Sequence, residues 1–313
     1  MLATRNSQLE TRDFGFSPLS QAASLRELIA RRNARQSVSR TRTIALASAQ
    51  PGVGKTTLAV NLAAALHKGG QRVVLLDLAQ GPSNASALLG LEARAGFEQV
   101  LLGERALRDI ALAAPCGLRV IPAGSGVEGL ANLTPWQQER LWHGLAELGQ
   151  GCDVVVTDGA AGAGPGVLAA AEVVVVTLPE ANAVADAYGL VKLLSQHKPG
   201  GRLHLVVNRC PSPGEARRVA RCVAQMARRF LGVEVNDLGM VPEDPHVPLA
   251  AQEGAPLVVA HPRSPAARGM AAVAARLRGA VGKAVEGSLT GCVRQLATLV
   301  ARREPNGPLG LRA

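Results

Sequence analysis

Rings are scarce in this chain: seven of its 313 residues are aromatic, four Phe, two Trp and one Tyr. A core with so few rings has to be assembled from the long Ala, Val, Leu and Gly stretches that are present, and that composition suits an α/β protein. Long apolar runs are missing as well. No segment reaches the roughly 18 consecutive apolar residues of a membrane-spanning helix, and the polar, arginine-rich start lacks the apolar run of a cleavable signal. The expectation is a soluble or peripheral cytoplasmic protein. The five cysteines, Cys116, Cys152, Cys210, Cys222 and Cys292, are odd in number and scattered. Without a C-x-x-C pair they exclude a zinc ribbon or a dithiol redox motif, and they read as small residues in a reducing compartment.

A uniformly basic surface is also absent, although the net charge is +10. Residues 1–43 hold eight arginines against three acids, and residues 260–313 hold nine basic residues against two acids. The 216 residues between them therefore carry about −2. That distribution argues against a DNA-binding face spread over the whole domain. It leaves two basic flanks able to meet acidic protein or anionic lipid.

What is present is a repeated alternation of apolar β-branched runs with helical patterns. The runs are Thr43–Ser48, Arg72–Asp77, Leu118–Pro122, Asp153–Asp158, Val173–Leu178, Leu203–Asn208 and Asp237–Pro242. Near-continuous apolar strands between helices predict a doubly wound, mostly parallel sheet flanked by helices, with ligands at the carboxyl ends of its strands. Ser17-Pro18 predicts the start of a helix near residues 18–35, followed by a basic linker over Arg35–Arg42, and Ser264-Pro265 opens a late helix. From Ser288 to about Arg303 an amphipathic basic helix is expected. Its apolar arc holds Leu289, Cys292, Val293, Leu296, Leu299 and Val300, suited either to an anionic membrane surface or to the protein body. The expected parts are a basic N-terminal segment (1–42), a nucleotide-binding domain (43–285), and the last helix with a flexible tail (286–313).

After the first apolar run comes a phosphate cradle. Gly52, Val53, Gly54, Lys55, Thr56 and Thr57 lead into a helix, so that backbone N–H groups at its N-terminus face an anion. Lys55 would reach the β- and γ-phosphates, and Thr56 would ligate Mg²⁺, which takes oxygen ligands. The full GxxxxGK[ST] pattern fails at its first glycine, where Ala49 stands, followed by Gln50 and Pro51.

The loop and the string Leu75-Leu76-Asp77-Leu78-Ala79-Gln80-Gly81-Pro82 resemble the first two motifs of MinD/ParA-type P-loop ATPases, the deviant Walker A type. Further stretches are similar to the FlhG (FleN) branch, the MinD-like regulators of flagellar number and placement. They include Gly103-Glu104, Val156-Thr157-Asp158-Gly159, Asp186-Ala187-Tyr188 and Pro262-Arg263-Ser264-Pro265, and the resemblance spans about residues 18–280. It implies ATP and Mg²⁺ as cofactors, Asp158 as the carboxylate supporting the metal with Asp77 assisting, and Asn208 and Pro242 beside the adenine. It also implies contact with a FlhF-like GTPase through the N-terminal segment, where Gln21-Ala22 precedes Leu25-Arg26 and Ser20 replaces a usual aspartate. An ATP-dependent homodimer, flagellar basal-body or regulatory proteins, and the inner face of the cell membrane are the remaining implied contacts.

Two departures bear on catalysis. In MinD-like enzymes the place of Gln50 holds a lysine that reaches the partner subunit's nucleotide, and the place of Ala79 holds an aspartate that orients the attacking water. Losing one such element typically costs about 10² to 10³ in rate, whereas binding rests on other groups. ATP binding is therefore expected to survive with hydrolysis weakened, and a non-hydrolysing scaffold stands as an alternative. The loop also resembles that of bacterial tyrosine autokinases, but Tyr188 lies inside a predicted helix and the tail has no tyrosine. A ParA-like partition ATPase is a third reading, opposed by the near-neutral centre, and a dinucleotide oxidoreductase a fourth, opposed by Gly-Lys-Thr in place of GxGxxG.

Overall fold

The computed structural model describes residues 41–79, 85–124, 126–159, 161–198, 200–280 and 288–302. The expected partner-binding helix near 18–35 and the tail from residue 303 lie outside the described residues.

Eight strands form one sheet: β1 (Arg42–Ala47), β2 (Val73–Asp77), β3 (Leu112–Ala113), β4 (Arg119–Pro122), β5 (Val154–Asp158), β6 (Glu172–Thr177), β7 (Arg202–Val207) and β8 (Val235–Met240), in the order β3-β4-β2-β5-β1-β6-β7-β8. Every neighbouring pair is parallel except β3 with β4. The four central strands β1, β2, β5 and β6 are buried along their whole length. Helices cover both faces, which is why these strands are apolar on both sides instead of alternating. One face is packed by α1 (Lys55–Lys68) and, late in the chain, by the helix over Pro265–Gly279. The other carries α2 (Pro135–Gly149), α3 (Ala181–His197) and α4 (Pro213–Met226). Pro265–Gly279 is α5, and Leu289–Ala301 is α6.

All seven predicted strands are present within two residues. The eighth, β3, is two residues long and lies antiparallel on the sheet edge, too short to leave a periodic signal in sequence. The linker expectation fails at its last residue, because Arg42 opens β1. Its guanidinium grips the buried carboxylate of Glu172 twice at 2.8 Å, while His204 Nε2 lies 3.1 Å from the same carboxylate. Arg42 also donates to the Leu277 carbonyl in the last turn of α5, at 3.1 Å. A charge that makes four such bonds, two to the sheet and two to a helix carbonyl, is no linker residue.

The last helix folds onto the body. Leu289, Cys292, Val293, Leu296 and Ala297 of α6 are buried in the same core as Leu141, Leu145 and Leu148 of α2. Its apolar arc is thus occupied by the body of the protein, one of the two alternatives that the sequence leaves open for this helix. Ser288 caps it, accepting from Gly291 N at 2.9 Å, and Arg294 of its polar side stacks over Trp142 at 5.3 Å.

Candidate functional site

At the carboxyl end of the sheet, β1 hands the chain to α1 through the predicted cradle. Gly52 and Gly54 adopt φ of 75° and 87°, the left-handed region that costs a side-chain-bearing residue and suits glycine. At Gly54 space forbids a side chain too, because a Cβ would lie 2.5 Å from Asn208 Nδ2. The first helical bond runs from Leu58 N to Gly54 O at 3.0 Å. Gly54, at the head of α1, receives no side-chain cap, and the N–H groups of Lys55, Thr56 and Thr57 open the helix where no residue of the preceding turn accepts from them. That arrangement suits an anion at the positive end of a helix dipole.

Two carboxylates close the floor. Asp77 and Asp158 end the adjacent strands β2 and β5 and are paired in register. Lys55 Nζ lies 3.5 Å from Asp158 Oδ1 and donates to the Gly159 carbonyl. Burial pushes the Asp158 carboxyl above its ordinary range and neighbouring Asp77 adds to this, against the pull of Lys55 and of the nearby Thr56 hydroxyl. Asp158 Oδ2 is fully buried without a hydrogen-bond partner. An orphaned carboxylate oxygen beside a hydroxyl and a second carboxylate fits the oxygen-ligand demand of Mg²⁺ or of a water bound to it.

Asp77 has a further occupation. Its Oδ2 accepts from both the backbone N and the hydroxyl of Ser86 at 3.0 Å, and its Oδ1 accepts from Ala79 N at 3.3 Å. Burial pushes its carboxyl upward, opposed by those Ser86 bonds. Asp77 thereby caps the short helix Ala85–Leu88, and Oδ1 is the oxygen left with capacity toward a metal. Beside it a cavity of about 290 Å³ is lined by Asp77, Ala79, Gly96, Gln99, Pro122 and Gly124.

Gln50 donates to Asp186 Oδ2 of α3 at 2.5 Å, and Ser48 Oγ donates to the Gln50 carbonyl at 2.8 Å. Asn208, at the end of β7, donates to the Val53 carbonyl at 2.7 Å, so this predicted residue is brought against the loop itself. Pro242 stands just after β8, next to Val241, whose carbonyl accepts from Cys210 N at 3.1 Å, and it rests on Gly269 of α5. Asp244 anchors the same turn, accepting from Ala266 N at 2.8 Å and from His246 N at 2.9 Å.

The model of the CobQ/CobB/MinD/ParA nucleotide binding domain matches residues 44–257, the stretch that carries this sheet and this loop. The chain belongs to this family. Among MinD/ParA-type relatives it is 37% identical over 238 residues to the antiactivator FleN of Pseudomonas aeruginosa, covering 75% of this chain and 85% of that one. It is 32% identical over 208 residues to the flagellum site-determining protein YlxH of Helicobacter pylori, covering 64% and 69%. The MinD-containing MinC:MinD cell division complex of Aquifex aeolicus superposes with a TM-score of 0.59 at 27% identity, covering 77% of this chain and 97% of that one.

Sequence reasoning assigned no role to Ser86, Asp186 or Arg209, which hold Asp77, Gln50 and the loop. Ser86 had no signal, because its contact with Asp77 depends on how the chain returns after residue 84. Arg209 did have one, as the residue directly after Asn208.

Proposed function

We propose that this chain is a MinD-like, ATP-responsive switch that regulates flagellar number or placement, with nucleotide binding retained and hydrolysis weakened. The observation that carries the reading is the split within one site. The groups suited to binding are the N–H groups opening α1, Lys55 beside Asp158, Thr56 and the open oxygen of Asp158. The two positions that the MinD-like mechanism uses for turnover hold a neutral amide, Gln50, tied to Asp186, and the methyl of Ala79.

In this reading the loop amides and Lys55 bind the phosphates of ATP, and Asn208 with Pro242 borders the base. Thr56 and Asp158, with Asp77 assisting, hold Mg²⁺. Bound magnesium would neutralise charge on the β- and γ-phosphates. Pro51 withholds one N–H, while Gly52 to Thr57 still offer theirs. The flagellar role rests on the likeness to FleN and YlxH. A FlhF-like GTPase is the proposed partner of the segment near residues 18–35, with an ATP-dependent homodimer as the signalling form. Contact with the inner face of the membrane would require α6 to leave the core or the basic flanks to act alone.

The experiment is a titration of purified full-length chain with Mg-ATP, read by calorimetry and by sedimentation, with Lys55→Ala as control. ATP should bind and shift either self-association or affinity for a FlhF-type GTPase, and Lys55→Ala should lose both effects. Absence of binding together with unchanged assembly would overturn the proposal. A pseudo-ATPase scaffold is the second reading, favoured by the missing carboxylate at Ala79, and it predicts binding without any turnover.

A further inference from the structure

Arg209 is the one residue other than glycine with a positive φ, 49°, among the described residues. L residues with side chains adopt this conformation at a cost, and it persists where surrounding bonds over-determine it. Here the flanking residues are both tied down: Asn208 N donates to the Thr177 carbonyl at 2.8 Å and Cys210 N to the Val241 carbonyl at 3.1 Å. The conformation turns the Arg209 side chain back over the phosphate loop, where its Nη2 donates to the Gly52 carbonyl at 3.0 Å. Together with Asn208 on the Val53 carbonyl, two consecutive loop carbonyls are held from the outside. Holding the carbonyls outward keeps the corresponding N–H groups directed inward.

Charge gives the guanidinium a second purpose. Around the loop stand the carboxylates of Asp77, Asp158 and Asp186, while Lys55 is engaged with Asp158 and position 50 holds a neutral amide. Arg209 has no carboxylate partner among the described residues, so its charge is uncommitted. A polyphosphate entering this cradle meets three carboxylates against the single charge of Lys55, an excess that Arg209 narrows.

We propose that Arg209 is a positioning and affinity residue of the nucleotide site: it clamps the phosphate loop through Gly52 and supplies the positive charge that Gln50 does not. The proposal rests on the nucleotide-binding reading above. It makes affinity for nucleoside di- and triphosphates depend on a residue outside the loop motif.

The test uses Arg209→Asn, because Asn tolerates the left-handed conformation while removing the guanidinium, and Arg209→Lys, which keeps the charge. Binding of Mg-ATP and Mg-ADP is measured by equilibrium titration at low and high salt, with melting temperature of the nucleotide-free proteins alongside. Arg209→Asn should weaken both nucleotides about tenfold or more at low salt, with the gap narrowing as salt screens the charge. Arg209→Lys should recover part of the loss, and the nucleotide-free melting temperatures should stay close. Wild-type affinity in Arg209→Asn overturns the proposal, as does a loss that is independent of salt and accompanied by a lower melting temperature. If the unmodified chain itself fails to bind Mg-ATP, the underlying nucleotide reading has failed instead.

Discussion

Replacing Gln50 by Lys and Ala79 by Asp in one chain should raise ATP turnover, and the structure lets the size of each step be reasoned. Gln50 already reaches Asp186 Oδ2 at 2.5 Å, so a lysine at 50 acquires a carboxylate anchor without rearranging the loop. A carboxylate at 79 has room, since Ala79 borders the cavity of about 290 Å³ beside Asp77. It also lands near two buried acids whose carboxyls already sit above their ordinary range. Adding a third negative charge there costs on the order of 1 kcal/mol when no cation is present. Ala79→Asp alone should therefore melt at a lower temperature without Mg²⁺ and regain the loss with Mg-nucleotide. Each missing catalytic element is worth about 10² to 10³ in rate, and groups that act as a unit do not add. The double variant should gain about 10² to 10³ in kcat, and each single variant less than about tenfold. The assay is phosphate release at saturating Mg-ATP, repeated over protein concentration so that dimer dependence is visible. A double variant that binds nucleotide yet hydrolyses no faster would refute the reasoning, because water would then be positioned by groups other than those at 50 and 79.

Two further outcomes follow from other parts of the molecule. Burial pushes the Glu172 carboxyl up, but the bonds from His204 and Arg42 outweigh it and hold its pKa at about 2. A folded pKa below the unfolded value of 4.5 means stability that is present above pH 4.5 and lost as pH falls toward 2, on the order of 3 kcal/mol in all. Glu172→Gln should destabilise the protein by roughly 3–5 kcal/mol at pH 7 by leaving Arg42 buried and unpaired, with the difference from wild type shrinking below pH 4.5 in denaturant melts. A pH-independent difference would contradict this account. Leu296→Asp places a charge at a buried α6 position and should cost several kcal/mol or detach the helix, seen as new protease sensitivity near residues 288–302. Unchanged stability and protection would show that α6 is not part of the core.

The sheet was legible because buried parallel strands leave unbroken Val, Ile and Leu runs, and three of the seven runs end in residues that stand at the loop: Asp77, Asp158 and Asn208. The loop was legible for the same local reason, since consecutive residues from Gly52 to Thr57 carry it. What sequence did not disclose depends on contacts between distant segments. Ser86 holds Asp77 only because the chain returns to the end of β2, and Arg209 reaches Gly52 only because β7 lies two strands from β1. Arg42 looked like part of a basic linker because its local composition is basic, whereas the deciding partner, Glu172, is 130 residues away. The amphipathic pattern of α6 stated that one face must be covered and left open what covers it.

If binding and turnover have been separated in this site, measuring both on the unmodified chain will show it. Equilibrium binding of Mg-ATP and a single-turnover hydrolysis trace on the same preparation would suffice. The account predicts saturable binding with hydrolysis at least about 10²-fold slower than in the Gln50→Lys, Ala79→Asp variant. Saturable binding with hydrolysis as fast as in that variant would contradict it.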